Sequence, residues 1–218
     1  VGAVESPSIL RLEFRETPEK HVMLARVFRQ EEGVFYGELR ARIQQSPGKH
    51  AFVFIHGYNV EFESAVKRTA QIAFDLKFDG APICYSWPSK GGLAEYTRDE
   101  ANVTWTVTHL EHFLNQVVHR TGAKTVHLVA HSMGNRALVQ ALERMALLQN
   151  PAEPVFGQLV MAAPDVDAAE FRDRYAPAVT RMARHVTLYA SANDRALVAS
   201  TKVHGYTRAG LSGDSMTV

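Results

Sequence analysis

Cysteine is almost absent from this chain of 218 residues, where Cys84 stands alone. A disulfide scaffold is thereby excluded, and one thiol inside an apolar stretch reads as a small buried side chain. Charge of one sign is not in excess either. Lys and Arg number 24 against 23 Asp and Glu, a formal charge of +1, whereas a surface that grips nucleic-acid phosphates needs concentrated positive charge. Long hydrophobic runs are missing: the longest, residues 51–55, holds about five residues, far short of the roughly 20 that cross a bilayer. Neither G-x-x-x-x-G-K-[ST] nor G-x-G-x-x-G occurs, which leaves nucleotide cofactors without support. H-E-x-x-H is missing as well. His109 and His112 lie three apart on a predicted helix, but nothing completes a zinc site around them, so solvated helix histidines are expected. The expectation is a protein without metal or cofactor.

No repeat, low-complexity tract or charge block divides the chain, so a single domain is expected. Val1 rather than Met opens it, as expected of a cleaved leader or an internal start, and the compartment stays open. Residues 9–14, 22–28 and, more weakly, 34–43 alternate apolar and polar side chains, a period of two that predicts antiparallel strands with one wet face. From residue 51 the texture changes. Short apolar runs at 51–55, 81–85, 125–130, 158–163 and 186–190 alternate with stretches of helical spacing. Those stretches carry Phe62, Ala65, Val66, Ala70, Ala73 and Leu76; then Val103, Val107, Leu110, Leu114 and Val117; then Ala137, Leu138, Ala141, Leu142, Met145 and Leu148. Repeated strand–helix–strand units predict an α/β class with a mostly parallel sheet and an antiparallel start.

Open parallel sheets gather ligands at the carboxyl ends of their strands. The sharpest such end is Ala130-His131-Ser132-Met133-Gly134, between an apolar strand and an amphipathic helix. A serine there matches a nucleophile elbow, whose usual form G-x-S-x-G is altered only by Ala130 in the first position. An ordinary helix-capping serine is the plain alternative. The loop His56-Gly57-Tyr58 follows the first central strand, where this architecture places one oxyanion-binding amide. The expected pair is the amides of Tyr58 and Met133. His56 is expected to brace that loop rather than act as base. His56, Gly57, His131 and Trp87 are taken as the residues lining the substrate site. Trp87, Tyr96 and the stretch 90–92 form either a wall over it or a plain surface loop.

The segments Phe52-Val-Phe-Ile-His-Gly-Tyr-Asn59, Tyr85-Ser-Trp-Pro-Ser89, Ala130-His-Ser-Met-Gly-Asn-Arg136, Ala163-Pro-Asp165 and Ser191-Ala-Asn-Asp-Arg-Ala-Leu197 resemble the bacterial DUF900 family of α/β-hydrolases over about residues 50–213. The resemblance implies the α/β-hydrolase fold and a serine-dependent hydrolase, and is silent on substrate. It also implies a further strand and a histidine-bearing loop beyond Val218.

Chain order in this fold is serine, acid, histidine, which favours Asp194 as acid over Asp165 one strand earlier. Asp165 and Asp167 also read as caps of the following amphipathic stretch. Eight of the ten histidines precede Ser132, leaving His185 and His204. His185 opens a strand, at the wrong end of the sheet. His204 is the base candidate inside the chain, and a histidine beyond Val218 is the other. The expected activity is hydrolysis of a small-molecule carboxylic ester by Ser132, Asp194 and a histidine, with no nucleic-acid partner and no integral membrane segment. A binding or scaffold module that keeps the fold without the base is the rival reading.

Overall fold

The computed structural model describes residues 22–89, 96–191, 197, 200–201 and 205–211. Five strands, β1 (His50–Ile55), β2 (Gly80–Tyr85), β3 (Thr125–His131), β4 (Phe156–Ala162) and β5 (Ala183–Tyr189), form one sheet in the order β2-β1-β3-β4-β5. Every pairing is parallel. Each of the five apolar runs became a strand because helices link them, and a helical crossover brings the next strand back in the same direction. Between them stand α2 (Phe62–Asp75), α3 (Tyr96–Arg120) and α4 (Gly134–Gln149). Before β5 the short α5 (Ala168–Glu170) runs through a π-helical turn, Phe171–Tyr175, into α6 (Ala176–Met182).

Among the described residues there is no antiparallel start. Residues 34–43 lie inside a helix, α1 (Glu32–Gln45), and 22–28 belong to no strand; 9–14 fall outside the described residues. The physical reason is visible in which side chains α1 buries. Tyr36 and Ile43 are buried, with Phe35 and Leu39 packed beside them. That is helical spacing, which a weak alternation had masked.

Side chains of a strand alternate between faces, and here the two faces are unequal. Ala51, Val53 and Ile55 of β1, Val126, Leu128 and Ala130 of β3, and Leu159 and Met161 of β4 join the main core with α1, α3, α4 and α6. Phe52 and Phe54 point the other way and meet Ile72 of α2 in a small second cluster. α2 buries Ala65, Thr69 and Ile72, while the outer members of the expected stripe, Phe62 and Leu76, are exposed. Leu148, at the end of the α4 stripe, is exposed too. No described helix is long and apolar enough to cross a membrane.

At the amino end of the sheet, His50 of β1 meets His127 of β3, Nδ1 to Nε2 at 3.0 Å. The Gln158 amide, which can only donate, reaches His127 Nδ1 at 3.1 Å. The His127 proton therefore sits on Nε2 and is donated to His50. Burial, and then the neighbouring His50, hold the His127 pKa below its ordinary value. A histidine held neutral in the fold contributes stability that is complete above the unfolded pKa near 6.5 and is lost as pH falls below it. The melting temperature is expected to be flat from pH 8 to 7 and to drop as pH falls from about 6.5 to 5. His127→Gln should shallow that drop, measured by thermal melts across this range.

Candidate active site

The chain leaves β1 for β2 on one side and returns to β3 on the other, so the topology reverses between β1 and β3. Side chains at the carboxyl ends of these two strands face the crevice that such a reversal opens. Ser132 follows β3 immediately and has φ of +49°, a left-handed conformation that costs a serine about 1–3 kcal/mol. Its surroundings enforce it. The Ser132 amide donates to the Ala162 carbonyl of β4 at 2.9 Å. The Ser132 carbonyl accepts from the amides of Asn135 at 3.1 Å and Asp165 at 3.3 Å, and from Asn135 Nδ2 at 3.1 Å. Asn135 is fully buried, and its Nδ2 also reaches the Ala162 carbonyl at 3.3 Å. The amino end of α4 opens beside Ser132, where its partial positive charge favours negative charge developing on Oγ.

Two glycines let the loop after β1 press against this turn. A Cβ on Gly134 would lie 2.3 Å from the His56 carbonyl oxygen and 2.9 Å from that of Ile55. On Gly57 it would lie 2.9 Å from both Ser132 Cβ and His131 Nδ1. Tyr58 and Met133, whose amides the sequence proposes for an oxyanion, thus belong to two segments in direct contact. Met133 is fully buried, Tyr58 is half-buried and His131 is exposed at the end of β3.

His56 is 1% exposed and committed at both nitrogens. The Trp87 amide donates to Nε2 at 3.1 Å, which fixes the proton on Nδ1, and Nδ1 donates to the Gly57 carbonyl at 2.9 Å. Ser86 Oγ lies 3.1 Å from Nε2. The Trp87 indole stacks on the imidazole at a centroid distance of 5.2 Å, and its Nε1 donates to the His56 carbonyl at 2.7 Å. Burial depresses the His56 pKa. Both rings lie beneath the surface, as parts of the brace under the loop.

Asp165 is 2% exposed and its carboxylate is surrounded. Oδ2 pairs with Arg136 Nη2 at 3.0 Å; Oδ1 takes the Ser200 hydroxyl at 2.6 Å and Arg208 Nε at 3.2 Å. Arg136 Nε holds the Asp165 carbonyl at 2.6 Å, and Arg136 also pairs with Glu100 of α3. These contacts make Asp165 a clamp between the Ser132 turn and the pair Ser200 and Arg208. Asp167, not Asp165, caps α5, accepting the Glu170 amide at 2.8 Å. Sequence reasoning gave no role to Asn135, Arg136, Ser89 or Asp99. For Asn135, Arg136 and Asp99 the signal available was a polar side chain in the first turn of a helix otherwise apolar inside; Ser89, in the loop after β2, had none. Asp194, His204 and the stretch 90–92 lie outside the described residues, as does the side chain of Tyr96. His185 is exposed near the amino end of β5, opposite the Ser132 end of the sheet. His109 and His112 are exposed on α3, His109 against Trp105. No group of three or more metal-ligating side chains occurs among the described residues.

A parallel sheet flanked by helices, with this turn after its central strand, agrees with what a family comparison finds: residues 32–213 match the model of DUF900, alpha/beta hydrolase of unknown function. The chain belongs to the DUF900 family. It is also similar to the uncharacterized protein alr1448 of Nostoc sp. (strain PCC 7120), 24% identical over 122 residues. That match covers 44% of this chain and only 32% of the Nostoc protein. No solved structure matches the chain significantly.

Two glycine substitutions test the contact between loop and turn. Gly134→Ala places a methyl group against backbone that cannot rotate away, and should cost about 3 kcal/mol or more. Gly37→Ala, in α1 with open space around the new Cβ, should stabilise by about 0.4–1 kcal/mol. Urea midpoints at unchanged slope distinguish the two.

Proposed function

We propose that this DUF900 member is a serine hydrolase acting on carboxylic esters, with Ser132 as nucleophile at an elbow between β3 and α4. The observation that carries this reading is the left-handed Ser132 turn held between the loop after β1 and the amino end of α4. A capping serine needs no such conformation, because capping residues take extended backbone angles.

In the proposed reaction Ser132 Oγ attacks the acyl carbon while a histidine takes its proton. The carbonyl oxygen becomes an oxyanion bound by the amides of Tyr58 and Met133. Collapse of the tetrahedral intermediate expels the alcohol, which receives the proton from the histidine, and water then cleaves the acyl-enzyme by the same steps in reverse order. Asp194 orients the histidine. This assignment is supported by chain order and by the position of residue 194 after β5, the second strand beyond the nucleophile. Asp165 is disfavoured, since its carboxylate already serves two arginines and a hydroxyl. The base is His204 or a histidine contributed by sequence beyond Val218. Gly57 and His131, adjacent to Ser132, are proposed to touch the substrate.

Intact mass after incubation with a fluorophosphonate tests this directly. One adduct is expected, absent in Ser132→Ala and formed about 10³–10⁴-fold more slowly in Asp194→Asn. Loss of the adduct in His204→Ala would assign the base inside this chain; unchanged labelling in that variant would remove His204 from the role. A wild-type chain that takes no adduct would count against catalysis by these 218 residues and leave a base beyond Val218 or the binding or scaffold module as the two readings.

A further inference from the structure

The start of α3 carries adjacent carboxylates, Asp99 in the first turn and Glu100 just after it, that reach opposite sides of the candidate site. Asp99 is fully buried. Its Oδ2 accepts from Ser89 Oγ at 2.6 Å, and the Val60 amide approaches that same Oγ at 3.4 Å. A hydroxyl has one proton, and here it goes to the carboxylate. Its lone pairs are then left to accept from Val60, so the relay has a fixed direction from amide to carboxylate. On the other side of Tyr58, His56 Nδ1–H holds the Gly57 carbonyl at 2.9 Å. The Tyr58 amide thus lies between two tethers, one on an imidazole and one on a buried charge. Burial, and then the nearby Asp99, push the Tyr58 phenol pKa up. Asn102 Nδ2, one turn further along α3, fastens the neighbouring Pro88 carbonyl at 2.8 Å.

Glu100 reaches the other way. It pairs with Arg136 at the start of α4, and Arg136 holds Asp165, whose amide touches the Ser132 carbonyl. One helical turn therefore connects to both segments that would bind an oxyanion. The spacing of those segments matters because donors help only when they sit about 3 Å from where negative charge develops.

We propose that Asp99 is a positioning residue for the Tyr58 amide, acting through Ser89 and Val60, while Glu100 positions the Ser132 turn through Arg136. The start of α3 then sets the distance between the two halves of the site. The effect on reaction rate rests on the reading of Ser132 as nucleophile; the ordering of the loop does not.

The test uses Ser89→Ala, the hydroxyl-restoring Ser89→Thr, and Asp99→Asn. Ser46→Ala serves as control, removing another buried hydroxyl that bonds the Ile43 carbonyl at the end of α1. Amide exchange is followed in the peptide spanning residues 56–61, alongside fluorophosphonate labelling resolved into affinity and maximal rate. Ser89→Ala is expected to speed exchange at residues 58–60 about tenfold and to slow maximal labelling about tenfold at unchanged affinity. Asp99→Asn should move both in the same direction, Ser89→Thr should restore both, and Ser46→Ala should change neither. Unchanged exchange in Ser89→Ala would overturn the proposal. So would faster exchange with an unaltered labelling rate, because the loop would then be ordered without consequence for the reaction. Faster exchange in a protein that takes no adduct even as wild type would support the ordering of the loop and count against catalysis by these 218 residues alone.

Discussion

Everything about the candidate site follows from one close approach. The carbonyl oxygens of Ile55 and His56, at the end of β1, occupy the space a side chain at position 134 would need. Only hydrogen fits there, so α4 can begin against the edge of β1 and no further away. With its helix fixed, the chain must turn from β3 into α4 within a residue or two, and Ser132 takes the positive φ that such a turn requires. That strain persists because the carbonyl and amide of Ser132 are both claimed from neighbouring segments. Gly57 repeats the logic on the other side of the crevice.

Around this contact lies a polar layer that is costly to bury and therefore tightly paired. Glu100, Arg136, Asp165, Ser200 and Arg208 form a chain of ion pairs and hydrogen bonds reaching from α3 to residue 208. Removing one partner from such a chain leaves an uncompensated charge, so its members behave as a unit. Arg208 Nη2 and Asn135 Oδ1 are the two buried side-chain atoms in the described part of this layer without a hydrogen bond. The layer does mechanical work for the site. Residues 205–211 pair back along the loop after β4, through Ala168 with Thr207, Ala209 with Val166 and Gly210 with Pro164. Residues 205–211 are in this way anchored to the loop that touches Ser132.

The brace beneath the loop after β1 shows how a titratable group is withdrawn from chemistry. His56 has a strand-end position that would suit a base, but the Trp87 amide holds one nitrogen and the Gly57 carbonyl the other. The bond from the Trp87 amide requires Nε2 to be unprotonated and hence the ring to be neutral, and burial favours the same neutral form. A histidine so held can orient a loop and cannot shuttle a proton without breaking it.

The sequence by itself determined the alternation of strand and helix from residue 51 onward, the end of the sheet where polar residues collect, and Ser132 as the side chain at its sharpest turn. These are local properties, carried by periods of 2 and 3.6 residues and by glycines at fixed offsets. The same periodicity misread residues 34–43, because Leu39-Arg-Ala-Arg-Ile43 alternates apolar and polar side chains, whereas Tyr36 and Ile43, seven positions apart, share a face only in a helix, and only packing against the core chose the helix. Tertiary structure alone decided that Asp165 is a clamp, that the Trp87 amide and indole complete the brace on His56, and that Asp99 and Ser89 hold Val60. The partners in those contacts are separated by 8 to 43 residues in the chain or sit on different elements. A carboxylate in the sequence carries no mark of whether it will meet water, an arginine or a hydroxyl. That is set by which elements the sheet brings together, and burial then makes each pairing obligatory.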